Sequence, residues 1–540
     1  MKCTKISPVI WTVIGVSLIG ALTNSVRFFL ATADQPPDSV YLGTVHYWED
    51  YFLYLNHFFQ GAHGAWLTVN RYTPVPTPDS IIYWSNVMLG KVTGLLGMPP
   101  ILGYNVSVIV LTSLTLALSY LVLRRVFGLT PVMSLIGFLT GNTATSMINR
   151  VQSREGGMIF WPFQIWRTPH FAFDRLGGAP HQLMQTSLSY LFFIIYFSPA
   201  NPDRKSGVRK LILLGLTGVA LTTLNPVQAG FYLGLLWVTA AVTAVFRKNR
   251  PDTGKLLAVS AAVTGTFLYT SDILNSLPHI QSRIWEASQH SFTIPGFLIL
   301  SIGPILLLSI PGIIRRWKNF TPPEVFGLLV IAAGYGLFLS RIPQKIGVSN
   351  LRFLLPASYV IWGAFAAWGV DAIVRKLKSA GVPKRSYLTG FVLIVYFALT
   401  MPTIIWEISQ KLPTAGDRTD PMIYLPRQVS DGFDYLARRT DFNSIVLANP
   451  SRHMDTLVPA LSGHTAYSGH MLATVDNAGN QKQATRFFTG QTPEGAGWLR
   501  SQQITYVLYT VYDGNRAEFE RSYPFLKKIF ENTGTAVYEL

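Results

Sequence analysis

Cysteine, acidic residues and charge as a whole are all scarce in this chain. Its single cysteine, Cys3, excludes an internal disulfide. Only 13% of its 540 residues are charged, about half the share of an average soluble protein, which is about 25%. Low charge combined with 49% hydrophobic residues excludes a disordered chain. It also argues against one soluble domain, because apolar runs near the length of a membrane span recur throughout. There is no GxGxxG motif and no P-loop, so no nucleotide site is assigned. Internal repeats and low-complexity tracts are absent, as is the pair of broken helices that marks inverted-repeat transporters.

The shortage is mostly of acid. Lys and Arg number 44 against 27 Asp and Glu, leaving a net charge of +17. Such an excess fits a nucleic-acid binder or a membrane protein obeying the positive-inside rule, and the positions of the charges separate the two. About eleven apolar spans are read, at roughly 8–30, 101–123, 129–149, 182–199, 210–224, 227–246, 256–272, 296–314, 325–340, 354–374 and 387–406. Most are long enough to cross about 30 Å of hydrocarbon as a helix. The N-terminus carries Lys2 and Lys5. Every second connection after it is basic, from Arg124 and Arg125 to the run Arg375, Lys376, Lys378, Lys384 and Arg385. Those six segments hold 20 basic residues opposed by Asp203, Asp252 and Glu324, which accounts for the whole +17. A cytoplasmic N-terminus puts them all on the inner face, and the nucleic-acid reading falls.

The expected fold is therefore a polytopic α-helical membrane protein with a C-terminal periplasmic α/β domain. Residues 1–406 form the transmembrane domain, with outer loops 31–100, 150–181, 273–295 and 341–353, and residues 407–540 form the soluble domain. Lys2 and Lys5, an apolar stretch and Ala31-Thr32-Ala33 resemble a signal peptide. The stretch is long for one and reads as a retained anchor; in both cases residue 34 onward lies outside. A cysteine-free outer domain without a glycosylation sequon in the tail fits a bacterial inner membrane. Alternation of strands and helices along the tail reads as a small sandwich with a parallel sheet. Strands are expected at 444–448, near 465–467, at 504–509 and, as the edge, near 536–540, and a helix near 427–440.

The first outer loop carries the most chemistry. In His46-Tyr47-Trp48-Glu49-Asp50-Tyr51-Phe52-Leu53-Tyr54 two adjacent carboxylates sit among aromatics. Tyr51, Tyr54, Leu55 and Phe58 recur at helical steps, so Glu49 and Asp50 fall at a helix N-terminus. An acid there is stabilised by the helix dipole alone. It also has the chemistry of a general base beside the membrane surface, or of a ligand for a divalent metal such as Mg²⁺ or Mn²⁺. The pattern leaves the metal undecided. Tyr72-Thr73-Pro74-Val75-Pro76-Thr77-Pro78 then forms a stiff extended crossing.

Cations left on the outer side run against the positive-inside bias and so call for a reason. Arg154, Arg167, His170, Arg175 and His181 precede the fourth span, and Arg341, Lys345 and Arg352 the tenth. Arginine grips a phosphate through two bonds where lysine offers a point charge. Arg352, at a helix start, is the first candidate to hold a phosphate, with Arg341 and Lys345 beside it. His46, Tyr54, Arg71, Arg167, His170 and His181 are candidate substrate contacts. His57 and His63 fit no metal-ligand spacing, and His453, His464 and His470 read as surface or loop residues.

An acidic pair in the first outer loop, many spans and a periplasmic tail resemble the GT-C superfamily of integral membrane glycosyltransferases. Nearest in style is the bacterial dolichyl-phosphate-mannose-protein-mannosyltransferase-like group. Glu49-Asp50, Tyr72-Thr73-Pro74, Pro180-His181 and Gly469-His470 with Phe487-Phe488 match its recurring pieces. Asn225-Pro226 departs from a His-Pro. The resemblance implies an inverting glycosyltransferase that moves a monosaccharide from a polyprenyl-phosphate donor to a periplasmic glycan, lipid or protein. Asp50 would activate the acceptor, Glu49 would assist, and a basic residue of the late outer loop would contact the donor phosphate. Two rival readings are a transporter or flippase for a lipid-linked glycan and a catalytically inactive scaffold. Asp371, the main acid within a span, lies close to the cytoplasmic end, which weighs against transport.

Overall fold

The computed structural model describes residues 7–44, 47–152, 157–163, 179–198, 204–247, 251–379, 385–439, 441–492 and 495–540. Each of the eleven apolar segments forms helix. Five helices among the described residues are long and apolar enough to cross a membrane: Pro100–Arg125, Gly207–Leu224, Pro226–Phe246, Thr253–Leu274 and Ser386–Ser409. Two bent pairs raise the number to seven, Pro8–Asn24 with Val26–Ala33 at 51° and Pro295–Ile302 with Ile305–Asn319 at 93°.

Two expected spans are corrected together. The segment read as 129–149 is helical only over Pro131–Asn142, and the segment read as 296–314 is broken at Gly303-Pro304. Pro304, which lacks an N–H and disfavours helix at the residue before it, breaks the second segment, and the two breaks meet in one close contact. Gly303 has φ +76°, and a Cβ there would stand 1.9 Å from the Thr145 carbonyl oxygen. Only glycine allows the chain leaving the 131–142 helix to pass so near, and the Met147 N–H donates to Leu300 O at 2.9 Å as it does. Beyond this crossing the chain forms a hairpin, β2 (Ile148–Gln152) with β3 (Met158–Pro162), paired Arg150 to Phe160.

The Ser358–Ser379 helix is the hub of the helical part, buried along most of its length. It lies against Pro131–Asn142 and Ile305–Arg316 with backbones nearly touching. A Cβ on Gly363 would be 2.3 Å from Gly137 O, and one on Gly369 would be 1.6 Å from Leu308 O. Small residues at crossings are how helices pack where lipid supplies no hydrophobic drive.

Residues 424–540 carry the α/β part. A two-stranded sheet of β1 (Ser39–Tyr41) and β4 (Tyr424–Pro426) ties it to the first outer loop. The main sheet has the order β6 (Thr465–Ala466), β5 (Ile445–Ala448), β7 (Ile504–Thr510), β9 (Thr535–Glu539), β8 (Lys527–Glu531). β6, β5 and β7 are parallel, while β9 and β8 are antiparallel. The sheet is mixed, which corrects the expected parallel one. β9 is also no edge, because it lies between β7 and β8. The edges are β6 and β8. β8, Lys-Lys-Ile-Phe-Glu, carries no apolar strand signal because charged residues dominate it, and charge is a common protection for an exposed edge. Side chains alternate between the two faces with period two. Val446 and Ala448 join the core that continues into the membrane helices, while Ile445 and Leu447 join a second core with Phe487, Phe488 and Tyr538.

Candidate functional site

The acidic pair stands in the first turn of the Trp48–Ala62 helix, as the periodicity predicts. Its inner face, Tyr51, Phe52, Leu55 and Phe58, is fully buried. The Trp84–Leu95 helix supports it through backbone contact: a Cβ on Gly61 would meet Val87 O at 2.0 Å. On another side the tail presses on the same helix, and the space for a Cβ on Gly463 is taken by the Phe59 ring, 2.2 Å away. Both partners therefore fix where the acids point.

The loop after β6 holds them. The Met471 N–H donates to Glu49 Oε1 at 3.0 Å, and the Tyr47 hydroxyl donates to Glu49 Oε2 at 2.5 Å. His470 Nε2 lies 4.0 Å from Asp50 Oδ1, and the Asp50 side chain is 43% exposed. Of the reading of His464 and His470 as surface or loop residues, the loop part holds and the surface part is corrected, since both are buried, at 0% and 3% exposure. Burial pushes the His470 imidazole down to about 4, with Glu49 opposing. His57 is likewise buried and stacks on Tyr83 at 5.2 Å. Burial brings it down to about 3, with His279 and His470 adding repulsion.

Deeper along the helix, Tyr54 meets the His181 ring edge-on at 4.4 Å and the Tyr83 ring at 5.5 Å. His181 comes from the first turn of the Pro180–Phe197 helix. Burial pushes both phenols up, Tyr83 to about 12, and Asp50 raises each of them further while Arg352 opposes it. The Asp50 carboxylate and the Arg352 guanidinium thus act on the same two tyrosines from different ends of the sequence.

Arg352 sits in a helical turn, Asn350–Phe353, capped by the Ser349 side chain. It forks onto Glu286, Nε to Oε1 at 2.6 Å and Nη2 to Oε2 at 2.8 Å. Half its side chain stays accessible, at 50%. Glu286, chiefly, holds the guanidinium above its ordinary value against the opposing effect of burial.

The other expected residues fall in different places. Arg341 lies over the Phe292 ring, 5.7 Å from its centroid, and both it and Lys345 are exposed. Arg71 faces away from this group. Its guanidinium donates to Phe442 O at 2.6 Å and Asn443 Oδ1 at 2.7 Å, pinning the first outer loop to the tail. His46, Arg154, Arg167, His170 and Arg175 lie outside the described residues. Glu49 has both oxygens engaged by protein donors, and no three His, Cys, Asp or Glu side chains come together as a metal set among the described residues. The acidic pair as placed does not have the donor set of a metal centre. Asn225 caps the next helix by accepting from the Gln228 N–H at 3.0 Å. Asp371 is held by Arg315 and, at 3.0 Å, by Arg375.

Sequence reading missed Tyr83, Glu286, His57 and His470 as members of this group. Only the Gly469-His470 pair left a signal, and only through the family resemblance.

No protein-family model matches the chain, and no curated protein matches it. Solved structures do. An oligosaccharyltransferase from Archaeoglobus fulgidus, in its apo form, superposes with a TM-score of 0.57 at 13% identity, over 100% of this chain and 75% of its own. ArnT from Cupriavidus metallidurans, bound to undecaprenyl phosphate, gives 0.50 at 12% identity over 98% of both chains. The mycobacterial arabinofuranosyltransferase AftD gives 0.54 at 13% identity, over 98% of this chain and 39% of that longer one. The same archaeal enzyme, AglB, is also matched in complex with an inhibitory peptide and a dolichol-phosphate, at 0.52 and 13% identity over 98% of this chain and 74% of its own. With its apolar helices and this likeness, the chain is an integral membrane protein that has the fold of the GT-C glycosyltransferases.

Proposed function

We propose that the chain is an inverting glycosyltransferase that moves a monosaccharide from a polyprenyl-phosphate donor to an acceptor hydroxyl on the outer face of a bacterial inner membrane. The observation that carries this reading is a half-exposed Asp50 in the first turn of the Trp48–Ala62 helix, one turn before Tyr54 and 4.0 Å from His470, in a chain with the GT-C fold. The charges of Asp50 and Arg352 both reach Tyr54 and Tyr83. An acid and a cation acting on one substrate must meet around it. In the reaction, Asp50 takes the proton of the acceptor hydroxyl as its oxygen attacks the anomeric carbon from one side. The bond from that carbon to the phosphate oxygen breaks on the other side. Arg352 stabilises the charge that grows on the departing polyprenyl phosphate.

The bound lipids support the donor class. ArnT holds undecaprenyl phosphate and AglB a dolichol-phosphate, and a guanidinium half open beside buried phenols suits such a headgroup. Arg341 and Lys345 would extend its basic rim. The tail, docked on the acidic helix, would present the acceptor. Both Glu49 oxygens are engaged by protein donors and no metal set is found among the described residues, so the proposed steps use the chain's own side chains. Replacing Asp50 with Asn and following radiolabelled sugar out of the polyprenyl-phosphate fraction of membrane vesicles tests the reading.

A further inference from the structure

His470 is a buried histidine whose hydrogen bonding is half complete. Its Nδ1 accepts two backbone N–H groups, from Leu472 and from Ala473, both at 3.1 Å. A nitrogen that accepts carries no proton, so a neutral ring must carry its proton on Nε2. Nε2 is fully buried and has no hydrogen-bond partner. It is aimed at Asp50 Oδ1, 4.0 Å away. That gap is too long for a direct hydrogen bond. It fits one shared oxygen: an atom about 2.8 Å from both would subtend close to 90°. Burial keeps the ring neutral, as the fall to about 4 records. The neutral ring that burial favours thus carries its proton on the Nε2 that lies 4.0 Å from Asp50.

Resting on the glycosyl-transfer reading above, we propose that His470 is a binding residue for the acceptor: its Nε2–H donates to the acceptor hydroxyl oxygen while Asp50 takes that hydroxyl's proton. The hydroxyl then has its hydrogen on Asp50 and one lone pair on His470. Its second lone pair faces the anomeric carbon. The proton moves from the hydroxyl to Asp50, the new carbon–oxygen bond forms, and the carbon–phosphate-oxygen bond breaks. His470 keeps its own proton throughout. The acceptor this pair recognises is an alcohol, such as a sugar hydroxyl. It is not an amide, because an amide N–H has no lone pair free to accept from Nε2–H. Met471, whose N–H holds Glu49, fixes the neighbouring acid through the same loop.

The test uses the full chain in membrane vesicles, supplied with radiolabelled polyprenyl-phosphate sugars extracted from host membranes. His470→Leu removes the donor, and His470→Gln returns an N–H near the Nε2 position. His470→Leu is expected to lower transfer at least about tenfold, the worth of one hydrogen bond to the reacting group. His470→Gln is expected to stay within a few-fold of wild type, with both variants present in equal folded amount. A Leu variant as active as wild type overturns the proposal. So does a parallel loss in both variants that follows their melting temperatures, which marks a structural role. A second measurement does not depend on activity: histidine ¹⁵N NMR of the purified chain, with His470 assigned from the Gln variant. It is expected to show the Nε2–H form on both sides of the ordinary pKa of about 6.5, and a shift of that resonance in Asp50→Asn. The Nδ1–H form would overturn the geometry even if no sugar transfer is found. Absent transfer by wild type, with the Nε2–H form intact, fails the glycosyl-transfer reading, and the acceptor role fails with it.

Discussion

Arg352 and Glu286 are joined by two parallel bonds, at 2.6 Å and 2.8 Å, across a gap of 66 residues in sequence. The guanidinium proposed to hold a donor phosphate already faces a carboxylate in the geometry a phosphate would take. Glu286 belongs to the His279–Ser288 helix of the preceding outer loop. The pair holds the Arg352 guanidinium in place, and it also competes with any anion that arrives.

Glu286→Gln removes the competing charge and keeps one prong of the fork, since an amide offers a single acceptor oxygen and its NH2 cannot accept from the second guanidinium N–H. The apparent KM for a polyprenyl-phosphate donor is expected to fall a few-fold, about 1 kcal/mol for a half-exposed pair. Arg352→Lys keeps the charge but loses the two-pronged grip, and KM is expected to rise instead. Donor titrations of the two variants check the opposite signs.

Gly463 fixes the tail against the acidic helix. Its φ is +76°, and a Cβ would enter the Phe59 ring at 2.2 Å. Gly463→Ala is expected to cost about 1–3 kcal/mol, seen as a lower melting temperature. Transfer by the remaining folded protein should also drop, because the loop that holds Glu49 and faces Asp50 moves with the tail.

Acid should destabilise the protein through its buried histidines. His57 is lowered from 6.5 to about 3 and His470 to about 4, chiefly by burial. A depressed histidine stabilises the fold fully above the unfolded value of about 6.5, and that stability is lost as pH falls toward the folded values. Each unit corresponds to about 1.4 kcal/mol. Chemical denaturation at several pH values should show stability falling below about 6.5, with a shallower fall in His57→Gln. An equal slope in that variant contradicts the assignment.

Arg71 separates a structural cation from a functional one. Its guanidinium is engaged by Phe442 O and Asn443 Oδ1. Arg71→Ala is expected to loosen the outer loop from the tail at a cost of about 1–3 kcal/mol. Limited proteolysis reads this as faster cutting, and transfer per folded molecule should be nearly unchanged.

The parts of the fold legible in the sequence are those set by local pattern. Apolar runs marked each helical segment, and the helical spacing after Asp50 placed the acids in the first turn of their helix. Short apolar runs between helical stretches located β5, β6, β7 and β9. Reading failed where a distant contact decides the outcome. The Gly303-Pro304 dipeptide is itself a local break signal that the apolar run around it masked; the passage of Thr145 beside Gly303 is the part no pattern near residue 303 encodes. β9 gained a second neighbour because the charged strand Lys527–Glu531 pairs with it. The site follows the same division. Asp50 and Arg352 stood out as charges among aromatics and on the wrong face of a membrane. His470 looked like an ordinary loop residue until the tail folded back onto the acidic helix, and Glu286 showed no sign of being the partner of Arg352.

Sugar transfer by Asp50→Asn, measured in membrane vesicles against an equal amount of folded wild-type protein, tests the central claim most directly. Loss of the base is expected to slow release of labelled sugar from the polyprenyl-phosphate donor by about 10²–10⁴-fold, with the melting temperature nearly unchanged because Asp50 is 43% exposed. Transfer at the wild-type rate in that variant would contradict the account.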